Sequence, residues 1–130
     1  MRELPFKVTK DEYLEFVGNT NFIDSDLQMQ LDNAVTFVLL YSQYVSSRNW
    51  MKRFEHKIVS DYQLEAFKRA VIYQVAYIEA NGGDVMWTNG YNSTSNTFVS
   101  NATLFEKYIA PMSRLELSTS GILYSGVRVC

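Results

Sequence analysis

From Thr9 to Ala80 the apolar residues recur at intervals of three and four, interrupted at Gly18 and again between Trp50 and Ile58. This spacing predicts three helices in succession. Thr9-Lys10-Asp11-Glu12 has the form of a capping box, in which the threonine hydroxyl accepts from the Glu12 amide and the Glu12 carboxylate reaches back to the Thr9 amide. A short helix carrying Tyr13, Leu14, Phe16 and Val17 is expected to start there and to stop at Gly18, which adopts the left-handed conformation without side-chain strain. Asp24 or Ser25 can cap the second helix, whose Leu27, Leu31, Ala34, Val35, Val38 and Val45 build one stripe. Its stretch Ala34 to Tyr41 is apolar nearly all round, which calls for burial on both sides, by neighbouring helices or by another subunit. This helix is expected to run to about Asn49, followed by a frayed or broken segment around Trp50 to Ile58.

Ser60-Asp61-Tyr62-Gln63 is a second capping box, and Leu64, Phe67, Val71, Val75 and Ile78 mark the core side of the helix that follows. Glu65 and Arg69 are spaced for an i,i+4 pair, and Asn81-Gly82-Gly83 ends the helix. Beyond it the pattern changes. Asn89-Gly90 signals a turn, Ser93 to Asn96 is polar and Thr97-Phe98-Val99 favours strand, so residues 84–108 read as a projecting loop or hairpin. Pro111 suits the first turn of a short helix through about Thr119, with Gly121 at its stop. Residues 121–130 are then an apolar tail too short to fold alone, which must dock on something. The fold expected is mainly α, a small helical bundle in one domain over residues 1–130: three helices, the excursion, a short helix and an extended C-terminal tail.

Composition sharpens the class. With 47% apolar and 20% charged residues the chain is a packed globule rather than a disordered one. The formal charge of −2 supplies no net attraction for a phosphate backbone; the local cluster Arg48, Lys52, Arg53 and Lys57 reads either as a patch facing phosphates or as a solvated helix end. Cys130 is the only cysteine, which rules out an internal disulfide and fits a reducing compartment. The N-terminus lacks the apolar core of a signal peptide and no apolar stretch approaches the roughly 20 residues that span a bilayer, so a soluble intracellular product is expected. The sequons at Asn92 and Asn101 are read as accidents of a polar loop.

Candidate chemistry is sparse. His56 is the only histidine, and Glu55 and Lys57 flank it in a stretch typical of a surface connection. Asp11, Glu12, Glu15, Asp24 and Asp26 sit at helix starts, where the helix dipole accounts for them. Gly82-Gly83 lacks the residues that make a phosphate loop, so neither enzyme activity nor a cofactor or metal is expected. What remains is surface. Phe37, Leu40, Tyr41 and Tyr44 occupy the helix face left over once the core stripe is assigned, and fit lateral packing against another subunit. Trp87 and Tyr91 would anchor the excursion, and Ile122, Leu123 and Tyr124 the tail, with Val127 placed for strand addition to a sheet edge. Trp50, Phe98, Phe105 and Tyr108 also lie outside the amphipathic stripes, as interface anchors or as cover for the core.

Four stretches, Val8 to Phe16, Ser60 to Ala80, Ile109 to Leu117 and Gly121 to Val127, carry a family resemblance. The Thr-x-x-Glu-Tyr start, the Ala-Pro-Met helix start and above all the closing Gly-Ile-Leu-Tyr-Ser-Gly-Val resemble the head-tail connector adaptor (head completion) proteins of long-tailed bacteriophages of Gram-positive hosts. Tails in that family often have arginine where this chain has Ser125, so no salt bridge is carried over to that position. The resemblance implies a non-catalytic virion protein, assembled in the host cytoplasm as a homo-oligomeric ring, commonly dodecameric. Such a ring binds the portal protein above and a tail-side connector or stopper protein below, and DNA passes through it without sequence-specific binding. Two other classes stay open: a helical DNA-binding packaging component, such as a terminase small subunit, and a small enzyme using carboxylates and tyrosines. The first needs a basic recognition helix, whereas the strongest helix here sets Glu65 beside Lys68 and Arg69.

Overall fold

The computed structural model describes residues 4–80 and 108–123, which form a small, mainly α-helical bundle. Most of the expected excursion over 84–108, with Trp87 and Tyr91, lies outside the described residues, as do Tyr124 and Val127 of the tail. The first helix, α1 (Lys10–Val17), starts on the anticipated capping box: the Thr9 amide donates to Glu12 Oε1 at 2.9 Å and the Glu12 amide to Thr9 Oγ1 at 3.2 Å. Gly18 stops the helix at φ 103°, its amide donating to the Leu14 carbonyl. The Thr9 amide holds the Glu12 pKa below the usual carboxylate value, and Lys68, 3.2 Å from Glu12 Oε2, lowers it further while tying α1 to α4 (Asp61–Ala80).

The second helix, α2 (Asp24–Ser46), departs from expectation at both ends. Its N-cap is Ile23, which makes no side-chain cap, so Asp24 and Asp26 act in the first turn through the helix dipole instead. It ends at Ser46 rather than near Asn49, with Ser47 left-handed at φ 63°. Asn49 then caps a further helix, α3 (Trp50–Glu55), by accepting from the Lys52 amide at 3.1 Å. The segment expected to be frayed is thus an ordered helical turn, and aromatic packing is the reason. Trp50 is fully buried, edge-on to Phe67 with centroids 5.3 Å apart, and its indole N–H donates to Ser46 Oγ at 3.1 Å. Phe6 and Phe54 close the cluster against Phe67, at 5.9 and 5.4 Å. The helix ends in a Schellman pattern: the Lys57 amide donates to the Phe54 carbonyl and the Ile58 amide to that of Arg53, with Lys57 left-handed at φ 58°.

On α4, Gln63 and Ser60 exchange the expected box hydrogen bonds, and Phe67, Val71, Val75 and Ile78 face the core. Arg69 does not pair with Glu65 as its spacing suggests; its Nε donates to Glu116 of α5 (Pro111–Thr119) at 2.9 Å. Small residues let α4 and α5 approach closely, so that Ser113 Oγ donates to the Ala70 carbonyl at 2.6 Å. Buried Gln74 accepts from the Ala110 amide at 2.8 Å and donates to the Tyr108 carbonyl at 2.9 Å, holding the chain where it enters α5.

The link between α1 and α2 is fastened to the far end of α4. The Glu79 carboxylate accepts from the hydroxyls of Tyr13, at 3.2 Å, and Thr20, at 3.0 Å, and from the Asn21 amide. Burial, and then the adjacent carboxylate, raise the Tyr13 pKa well above that of a free phenol. Glu79→Ala leaves three donors without their acceptor, one of them on a fully buried ring. The expected loss is about 1–3 kcal/mol, read as a lower urea midpoint at unchanged m-value.

Candidate interaction surface

α2 is buried over a broad arc, and the remainder of its circumference is solvent-facing. Met29, Asn33, Thr36, Leu40 and Tyr44 follow one another on that side at steps of four, three, four and four. From Asn33 to Ser47 the helix and its cap contain no charged residue, so this outward strip is neutral as well as partly apolar. A solvent face on a helix of a globular protein is ordinarily charged, so a neutral strip carrying exposed Met29, Leu40 and Tyr44 is poorly adapted to water.

The residues expected to form the lateral face divide. Leu40 is 38% and Tyr44 44% exposed, and both sit on the strip. Phe37, at 2%, and Tyr41, at 3%, belong to the core, and their assignment to a packing surface is corrected. The single apolar stripe read from spacing underestimates how far α2 is enclosed; buried positions from Phe37 round to Leu39 cover about 200° of the helix at 100° per residue. Val45, assigned to the core stripe, is partly exposed instead. Met29 on α2 and Met112 and Leu115 on α5 are exposed apolar residues that the sequence reading missed. For Met29 the signal was present, since it lies in register with Thr36 and Leu40 opposite Leu27 and Leu31.

Among the described residues, Tyr41, Tyr44 and Val45 of α2, Arg114 and Ser118 of α5, and the flanking Ile109 and Leu123 wall an open groove of about 750 Å³. The root of the tail ends here, and its expected role is revised. Ile122 is fully buried and therefore not a docking anchor, while Leu123 packs half-buried against the core. The cause is a second Schellman stop. Gly121, at φ 83°, donates to the Ser118 carbonyl and Ile122 to the Leu117 carbonyl at 3.1 Å, which brings Ile122 onto buried Leu117.

His56 is exposed, as its setting suggested. Among the described residues there is no group of three or more His, Cys, Asp or Glu placed to hold a metal ion, and no helix is long and apolar enough to cross a membrane. No protein family, curated protein or solved structure matches the chain.

Proposed function

We propose that this chain is a structural adaptor of a bacteriophage head-tail connector. Copies pack side by side into a ring below the portal protein, extend the DNA channel and join the head to a tail-side connector or stopper protein. The observation that carries the reading is the neutral outward strip of α2, which favours contact with protein over water; the sequence resemblance supplies the setting. Contact area limits what the strip can do alone. From Met29 to Tyr44 it is about 22 Å long and, at a helix width of about 10 Å, covers roughly 220 Å², against about 800 Å² per partner in a stable complex. The isolated chain is therefore expected to remain monomeric and to assemble when the portal adds surface.

Leu40→Glu tests this. It places a charge at the centre of the strip, at a position exposed enough to tolerate it in the monomer. Circular dichroism and melting temperature should stay at their wild-type values. Light scattering of the variant mixed with a candidate portal should show no ring, under conditions where the wild-type chain forms one. An unfolded variant, or one that assembles normally, would remove α2 from the interface.

A further inference from the structure

Charge is distributed unevenly over this molecule. Residues 48–57 hold four Lys or Arg and one Glu, a formal +3, so the rest of the chain carries −5 to reach the overall −2. The positive segment is α3 with its two flanking turns. Trp50 and Phe54 fasten one side of α3 to the aromatic cluster, and Lys52 and His56 stand one turn apart on the opposite, exposed side. Of the described cations elsewhere, Lys10 pairs with Asp24, Lys68 with Glu12 and Arg69 with Glu116, while Lys7 and Arg114 stand singly on the surface, away from any cluster in sequence. Lys52, Arg53 and Lys57 have no carboxylate partner among the described residues. The Arg53 guanidinium is held over the Trp50 ring at 5.1 Å, and its buried Nε has no acceptor among the described residues.

We propose that α3 and its exit turn form a sequence-independent contact for the phosphate backbone of duplex DNA, made by Lys52, Arg53 and Lys57. The helix dipole favours cations only in the last turn of a helix, and it does not account for four cations gathered between residues 48 and 57, of which Arg48 precedes the start of α3. Net acidity is no obstacle at this range. With a Debye length of about 8 Å at physiological salt, a phosphate at α3 senses the local +3 while most of the acidic remainder is screened. Phosphates spaced along a duplex engage several cations at once without fixed geometry, which suits two flexible lysines and one stacked arginine. The inference stands apart from the connector reading, because it requires only the charge and exposure of α3.

Anisotropy of a labelled 24-base-pair duplex, titrated with the full chain, tests it. Three phosphate contacts predict affinity falling about 40-fold between 50 and 200 mM NaCl, and two sequences of equal length should bind within about twofold. The variant pairs Lys52→Gln with Lys57→Asn, the latter because asparagine tolerates the left-handed backbone at that position. It should keep the wild-type melting temperature and bind at least tenfold more weakly at 50 mM NaCl, with its salt dependence reduced to about fourfold over the same range, as one remaining contact requires. Absence of wild-type binding at 50 mM NaCl overturns the proposal, as does a folded variant that binds equally well or a strong preference between the two sequences. Displacement of the duplex by an equal charge of poly-glutamate would assign the ridge to an acidic protein and also overturn it.

Discussion

Trp50→Ala is expected to lower the unfolding free energy by about 3–5 kcal/mol, a large share of the roughly 5–15 kcal/mol available to a domain of this size. Three losses coincide at this position. The indole is fully buried, so its removal leaves a cavity beside Phe67. Ser46 Oγ loses the donor that connects the end of α2 to the start of α3. The Arg53 guanidinium loses the ring that holds it. Trp50→Phe retains part of the packing but not the hydrogen bond, so it should fall between the wild type and the alanine variant. Urea denaturation followed by far-UV circular dichroism gives the order. A Trp50→Ala protein within 1 kcal/mol of the wild type would mean that α3 is not anchored through this ring.

Ile122→Ala is expected to cost about 2–4 kcal/mol, the range for removing a fully buried branched side chain. A tail that left the helical body at Gly121 would instead make this substitution nearly neutral. The Schellman turn after α5 predicts the larger effect, because Ile122 and Leu117 pack together across it and both are fully buried. Gly121→Ala should destabilise by a different route: no atom of the described residues lies within 4 Å of the added methyl group, but φ 83° strains any residue with a Cβ. Thermal denaturation of both variants separates packing from backbone strain. If Ile122→Ala melts with the wild type, the residue returns to the role of a docking anchor.

Much of what depends on neighbours within about six residues was readable from the chain, although the ends of α2 and the Asn49 cap of α3, which are also local, were not. Both capping boxes, the glycine stop of α1, the proline start of α5 and the core side of α4 are set by local hydrogen-bonding chemistry and helical periodicity. The stop after α5 belongs with them, although reading Gly121 without the Leu117–Ile122 pair placed Ile122 on the wrong side of the core boundary. Leu40 and Tyr44 were assigned to the outward face of α2 for the same reason, since helical spacing fixes the angle at which a side chain leaves the helix.

Only the tertiary structure decided how wide an arc of that helix is covered. Phe37 and Tyr41 lie near the edge of the apolar stripe, and whether such residues face protein or water depends on which elements pack beside them, which periodicity does not encode. The same holds for contacts between distant positions. Arg69 has a carboxylate one turn away in Glu65 yet bonds Glu116, because close packing of α4 and α5 brings Glu116 to 2.9 Å. Glu79 gathers donors from Tyr13, Thr20 and Asn21 across separations of 58 to 66 residues. Trp50 lacks an amphipathic stripe of its own, and its helix is ordered because Phe6, Phe54 and Phe67 supply a buried aromatic site. A six-residue helix is too short to hold itself in water, so its existence depends on packing its Trp50 and Phe54 against Phe6 and Phe67 from outside it.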